Sequence, residues 1–250
     1  MMRRFLLLPL FLATFASGAG AAESVWQGRT VLITGANRGL GLEFARQLQA
    51  AGAQVIGTAR KPDAAGELKA LGVRVEQLDV TDQASVDALA ATLEGEPLDV
   101  LLNNAGIFPH RGSFVDEDPA EVLWVYDVNT VGPLRVTQAL LPNLRAGERK
   151  LVMNMSSGLG SIANNGRGSS AAYRSSKSAL NMLTVTMARD LADEGFICVA
   201  MSPGWVRTDM GGERAQLSPE ESVAGMLGVL VPLTPQDSAR YLSYTGDELP

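Results

Sequence analysis

The 250-residue chain contains one cysteine, one histidine and no block of like charge. Cys198 stands alone in the apolar stretch GFICVAM, so no intramolecular disulfide can form and the redox compartment cannot be read from it. It reads as a small buried hydrophobe. With His110 the sole imidazole, a histidine-based metal centre or a Ser-His-Asp triad is close to excluded. Twenty-one Lys and Arg against 27 Asp and Glu give a formal charge of −6, dispersed along the chain. Such a surface offers no basic footprint for nucleic acid. Internal repeats, low-complexity linkers and a second-domain boundary are also lacking.

Long apolar runs are absent except at the start. Residues 1–22, MMRRFLLLPLFLATFASGAGAA, place Arg3 and Arg4 before an apolar run and then small residues. That order is how a secretory leader reads. The run is too short and too diluted by Gly and Ala for a confident membrane span. A cleaved leader with export to the periplasm, a retained membrane anchor, and a start codon placed too early on a cytoplasmic protein all fit. The segment is set apart from residues 25–250, which read as one domain.

What is abundant is alternation. Short β-branched runs at 30–34, 53–59, 73–79, 98–103, 150–156, 196–202 and 239–244 read as strands. Between them, 39–51, 63–71, 82–94, 119–145, 171–194 and 219–230 carry apolar residues at helical spacing. Several strands are apolar throughout, as when helices cover both faces of a sheet. The pattern predicts an α/β fold: a Rossmann-like, doubly wound three-layer α/β/α sandwich on a mostly parallel sheet of about seven strands.

TGANRGLG follows the first strand and opens a helix, with Gly35, Gly39 and Gly41. Glycines there permit a tight turn and close approach of backbone to a pyrophosphate, whose charge meets the helix N-terminus. In this strand–turn–helix setting the motif predicts a dinucleotide site. An acid at the end of the second strand would bond a ribose 2′-hydroxyl and repel a 2′-phosphate. The sequence has Arg60 there, and Arg38 inside the turn. Guanidiniums hold phosphate in bidentate fashion, so NADPH is expected over NADH.

Tyr173 and Lys177 stand four apart in YRSSK. A phenol with a pKa of about 10 is a sluggish acid–base group near neutrality. An ammonium about 4 Å away, at an effective dielectric near 20, contributes roughly 4 kcal/mol. That predicts a phenol brought down toward roughly 7, where general acid–base catalysis works best.

The glycine motif, NNAG at 103–106, S-x-x-G from Ser157, Tyr173-x-x-x-Lys177 and PGWVRT from Pro203 occur in one order. Together they resemble the short-chain dehydrogenase/reductase family over about residues 28–250. NMSSGLGSIANNGRG, AYRSSKSALNM and YLSYTGDELP look closest to sniffer-type carbonyl reductases and C-factor-like proteins. The resemblance implies hydride exchange between a nicotinamide and a carbonyl or alcohol, with Tyr173 as general acid/base and Lys177 tuning it. Ser157 would bond the substrate oxygen. Ser156 is its rival, and strand alternation lets only one of the two face the site. Asn129, in a helix that Gly132 and Pro133 would bend, would hold a water linking Lys177 to solvent.

The same resemblance implies cofactor contacts from Gly35, Asn37, Arg38, Gly39, Leu40 and Gly41. Others would come from Arg60, Asp79, Val80, Asn103, Ala105 and Gly106, from Tyr173 and Lys177, and from Pro203, Gly204, Val206 and Thr208. Asp79 also reads as a plain turn residue, and Asn103 as architectural rather than catalytic. Relatives often form homodimers or homotetramers. Phe108 and His110 fall in one substrate wall and residues 158–168 in another. Ser157 precedes Tyr173 by sixteen residues, about three more than the family usually has. The extra length lies in SIANNGRGSS, where substrate choice is expected. The alternative function is signalling of the C-factor kind, with catalysis secondary.

Overall fold

The computed structural model describes residues 25–109 and 111–250. The leader-like segment with Arg3 and Arg4, and His110, lie outside the described residues. Seven strands form one sheet: β1 (Thr30–Ile33), β2 (Gln54–Ala59), β3 (Arg74–Gln77), β4 (Val100–Asn103), β5 (Leu151–Met155), β6 (Ile197–Ser202) and β7 (Tyr241–Ser243). Their order is β3-β2-β1-β4-β5-β6-β7, and every pairing is parallel. The sheet expected to be mostly parallel is therefore wholly so among its named strands. Strands β4, β5 and β6 are buried at every position, which explains their unbroken apolar character.

Among the described residues, eight α-helices connect the strands: α1 (Gly39–Ala50), α2 (Gly66–Ala70), α3 (Gln83–Thr92), α4 (Pro119–Tyr126), α5 (Gly132–Ala139), α6 (Leu141–Ala146), α7 (Ala171–Asp190) and α8 (Pro219–Leu230). They bury two apolar clusters on opposite faces of the sheet. One joins Phe44 and Leu48 of α1 to Val31 and Ile33 of β1, and to Val223 and Met226 of α8. The other joins Leu32 of β1 and Leu101 of β4 to Val136 of α5 and Leu144 of α6. Alternate residues of β1 thus face opposite layers, as a strand period of two requires.

Strand order reverses between β1 and β4. Parallel strands on either side run away from this seam, leaving a crevice at their carboxyl ends. Helix caps are set locally: Asp82 and Asp118 accept from the amides of Ala84 and Ala120, and Ser218 with Glu221 forms a capping box on α8.

One expected helix is not continuous. The run 119–145 divides into α4, a single π-helical turn at Asp127–Val131, α5 and α6. Pro133 has no N–H to return to the carbonyl of Asn129 four residues earlier, so the α ladder cannot pass through. The widened turn absorbs the mismatch. Asn129, within it, is fully buried.

Candidate active site

The glycine turn joins the end of β1 to α1 and is held from both neighbouring strands. The Ala36 amide donates to the carbonyl of Thr58 on β2 (2.8 Å). From the β4 side, Asn104 Nδ2 donates to the carbonyls of Thr34 (2.9 Å) and Gly35 (3.1 Å). Thr34 Oγ1 accepts from the amides of Asn104 and Ala105, at 3.0 Å each. Two glycines are forced by this packing. Gly35 has φ of +64°, and a Cβ there would lie 3.1 Å from Ala105 Cα. A Cβ on Gly41 would lie 2.6 Å from Asn104 Nδ2 and would also strike the Gly35 carbonyl. The bare backbone at the mouth of α1 is a cradle that any side chain would fill, and it fits a pyrophosphate.

Asn37, Gly39 and Leu40 complete the turn; Arg38 caps α1 with extended backbone and points its side chain into solvent. Its Nη1 pairs with Asp209 Oδ2 at 3.3 Å, and Thr208 Cγ2 would sit 3.6 Å from a Cβ on Gly39. The segment 203–212 therefore closes on the glycine turn. Pro203, Gly204 and Val206 begin that segment; the Pro203 carbonyl accepts from Ser222 Oγ of α8 at 2.7 Å. Arg60 follows β2 and is exposed, so the two guanidiniums emerge at the carboxyl ends of adjacent strands. No carboxylate takes the ribose position after β2.

Asp79 accepts from the Thr81 amide (3.0 Å) and hydroxyl (2.7 Å), closing its own turn. Burial acts to raise its pKa, but the Thr81 bonds and the nearby Arg60 charge bring it below the usual carboxylate range. Its carboxylate is thus a turn former; Val80 beside it is buried. Asn103 lies below the crevice, its Nδ2 donating to Thr137 Oγ1 (3.0 Å) and Asn154 Oδ1 (2.9 Å). It ties β4 to β5 and α5, the architectural reading of that residue.

Across the seam stand Ser157, Tyr173, Lys177 and Asn129. Tyr173 and Lys177 lie one turn apart on α7, both buried. Lys177 Nζ donates to the Met155 carbonyl of β5 at 2.8 Å and lies 5.7 Å from the Tyr173 ring centroid. Gly106, beside Ala105, sits between Asn129 and Lys177: a Cβ there would be 3.3 Å from Asn129 Oδ1 and 3.6 Å from Lys177 Nζ. The Asn129 amide accepts from Ile107 N (2.8 Å) and donates to Ile107 O (3.0 Å) and Ser176 Oγ (3.2 Å). The π-helical turn thereby anchors the loop that leaves β4.

The serine ambiguity resolves geometrically. Ser156 is buried and donates to Asn181 Oδ1 at 2.6 Å. Ser157 instead accepts from the Leu159 amide at 3.2 Å, and its hydroxyl acts on Tyr173 in the sense that favours the phenolate. The electrostatics run against expectation. Burial raises the Tyr173 pKa above its ordinary value, opposed by Ser157 and by the charge of Arg111. Burial likewise pulls Lys177 down to about 7. Attraction at an effective dielectric near 20 leaves out the cost of burying both groups, and here desolvation dominates both shifts.

Three residues join the site beyond the expected catalytic set. The Phe108 ring, expected only as part of a substrate wall, stacks on Tyr173 with centroids 4.0 Å apart and planes 12° apart. Arg111 lies 4.4 Å over the far face of Phe108 and donates to the Met210 carbonyl. Tyr241 of β7 reaches behind Ser157 and donates to its carbonyl. The lengthened loop before α7 is joined to the Phe108 loop, because the Ser170 amide donates to Gly112 O at 2.9 Å. Both expected substrate walls are therefore one connected rim.

Comparison with known proteins places the sequence and the fold. A family model described as short chain dehydrogenase matches residues 29–218. C-signal of Myxococcus xanthus is 45% identical over 163 residues, 65% of this chain and 98% of that protein. Carbonyl reductase Sniffer of D. melanogaster superposes with a TM-score of 0.85 at 34% identity, covering 89% of this chain and 99% of the other. An NADPH-bound carbonyl reductase from chicken fatty liver gives a TM-score of 0.82 at 37% identity, with 89% and 98% covered. Since the family match alone spans well over half of its residues, the chain belongs to the short-chain dehydrogenase/reductase family of oxidoreductases.

Proposed function

We propose that the protein is an NADPH-dependent carbonyl reductase, or an alcohol dehydrogenase in the reverse direction. The observation that carries the reading is Tyr173 facing Ser157, with Lys177 buried one helical turn away. The glycine turn would hold NADPH, with Arg38 and Arg60 recognising a 2′-phosphate, and the bound cofactor would supply the hydride. The Ser157 hydroxyl donates to the substrate carbonyl oxygen and steadies the charge that grows there. The Tyr173 O–H gives its proton to the same oxygen. Burial keeps that phenol protonated at neutral pH, which suits the reductive direction. Lys177 titrates near neutrality and stands across Gly106 from Asn129, which holds the water that returns its proton. Ala105 and Gly106, at the end of β4, border the nicotinamide side of the crevice.

The test is Tyr173→Phe, screened with NADPH against aldehydes, ketones, quinones and 3-oxoacyl thioesters. Turnover should vanish for any substrate the wild type reduces, while NADPH still binds. Turnover near the wild-type rate would refute the mechanism. The likeness to C-signal supports a second reading, in which the fold serves a signalling role. A Tyr173→Phe strain that keeps the cellular phenotype of the wild type would select it.

A further inference from the structure

The carbonyl of Ser157 accepts two hydrogen bonds. One comes from the Gly160 amide at 2.7 Å, within the same turn. The other comes from the Tyr241 phenol of β7, 84 residues away in sequence. The amide of the next residue, Gly158, donates to Ser202 Oγ of β6 at 2.9 Å. Both polar ends of the Ser157–Gly158 peptide are therefore held by side chains from the last two strands, which pair in register as Ala200 with Tyr241 and Ser202 with Ser243. Ser157 Oγ accepts from the Leu159 amide at 3.2 Å, so its own hydrogen is left to donate outward. The phenol remains a donor at any working pH, because burial pushes Tyr241 up to about 12. Behind it, Ser156 and Asn181 form a buried backing pair at 2.6 Å.

We propose that Tyr241, together with Ser202, is a positioning device for Ser157: the two side chains clamp the Ser157–Gly158 peptide so that the serine hydroxyl is aimed at the substrate oxygen. The inference rests on the reductase reading and adds residues to it. A peptide plane fixed at both its C=O and its N–H cannot rotate about the Ser157 Cα–C bond, and that rotation carries Gly158, Leu159 and the Leu159–Ser157 contact with it. Loss of either side chain leaves the peptide held across the sheet at one end only and the hydroxyl poorly aimed. Misplacement of a reacting group by about 1 Å can cost on the order of 100-fold in rate.

The experiment is a double-mutant cycle in the full chain, read by single-turnover rates with enzyme in excess over substrate. Tyr241→Phe is expected to lower the reduction rate about tenfold, leaving the Kd for NADPH within twofold and the melting temperature within a few degrees. In a Ser157→Ala background the same substitution should change the rate less than twofold, because the group it aims is gone. Ser202→Ala should repeat both results, and it carries the test if Tyr241→Phe does not fold. A full tenfold loss that persists in the Ser157→Ala background overturns the proposal, since the effect then bypasses the serine. So does a folded Tyr241→Phe protein whose rate stays within twofold of wild type. Failure of the reductase reading itself shows separately, as unimpaired turnover in Tyr173→Phe.

Discussion

Replacing Lys177 by Met should make the folded protein more stable and change how stability depends on pH. Lys177 is buried, with one donated bond to the Met155 carbonyl and no carboxylate partner among the described residues. Burial lowers its pKa from 10.5 to about 7. In the unfolded chain the same amine holds its proton until about pH 10.4. Between those limits the unfolded state carries one proton more than the folded state, so stability rises with pH by about 1.4 kcal/mol per pH unit. Below pH 7 both states are protonated and the penalty is full, roughly 4–5 kcal/mol from the two pKa values. Methionine has similar length, carries no charge and leaves only a pH-independent loss at Met155.

Urea unfolding of wild type and Lys177→Met at pH 6, 7, 8 and 9 measures the difference directly. Other titrating groups cancel in the subtraction. The variant should be the more stable protein at pH 6, and its advantage should shrink by about 2–3 kcal/mol between pH 7 and 9. Its turnover should be lost at every pH. A stability difference that stays flat from pH 6 to 9 would show that Lys177 keeps an ordinary pKa in the fold and would refute the reasoning.

Three further outcomes follow from the geometry. Gly41→Ala should abolish NADPH binding in a fluorescence titration and destabilise the fold by about 1–3 kcal/mol, because its methyl group meets Asn104 Nδ2 and the Gly35 carbonyl. Arg60→Asp should lower the ratio of kcat/KM for NADPH over NADH at least tenfold, measured in parallel assays; an unchanged ratio removes Arg60 from phosphate recognition. Cys198, fully buried and with burial holding its thiol up at about 12, should resist iodoacetamide at pH 8 in the native state and react within minutes in urea.

The layered fold was legible because its strands are apolar on both faces and its helices are long enough to show a period. The glycine turn was legible too, since only bare backbone allows the approach that Gly35 and Gly41 make. Tyr173, Lys177 and the choice of Ser157 over Ser156 came from spacing, and spacing survives folding along one helix or strand. What depends on distance in sequence was hidden. Nothing in YLSYTGDELP says that Tyr241 meets a carbonyl at residue 157, and nothing in the loop after Gly106 says that Phe108 lies flat on Tyr173. The sense of the Tyr173 pKa shift was misjudged for the same reason. Pair spacing reports attraction between charges, whereas burial is a property of the assembled site.

The position of β7 has a dynamic consequence. It is three residues long and the outermost named strand on its side of the sheet, its outer edge met by a bridge from Leu242 to Glu248 and by backbone bonds from the Leu249 amide to Tyr241 and from the Ser243 amide to Asp247. Short edge strands are among the first parts of a sheet to open. Each opening of β7 withdraws the phenol that holds Ser157, while the glycine turn at the central seam stays intact. Amide exchange at residues 241–243 should thus outpace exchange in β1 and β4 by orders of magnitude. On the reductase reading, the reacting end of the crevice should therefore open more often than the nucleotide end.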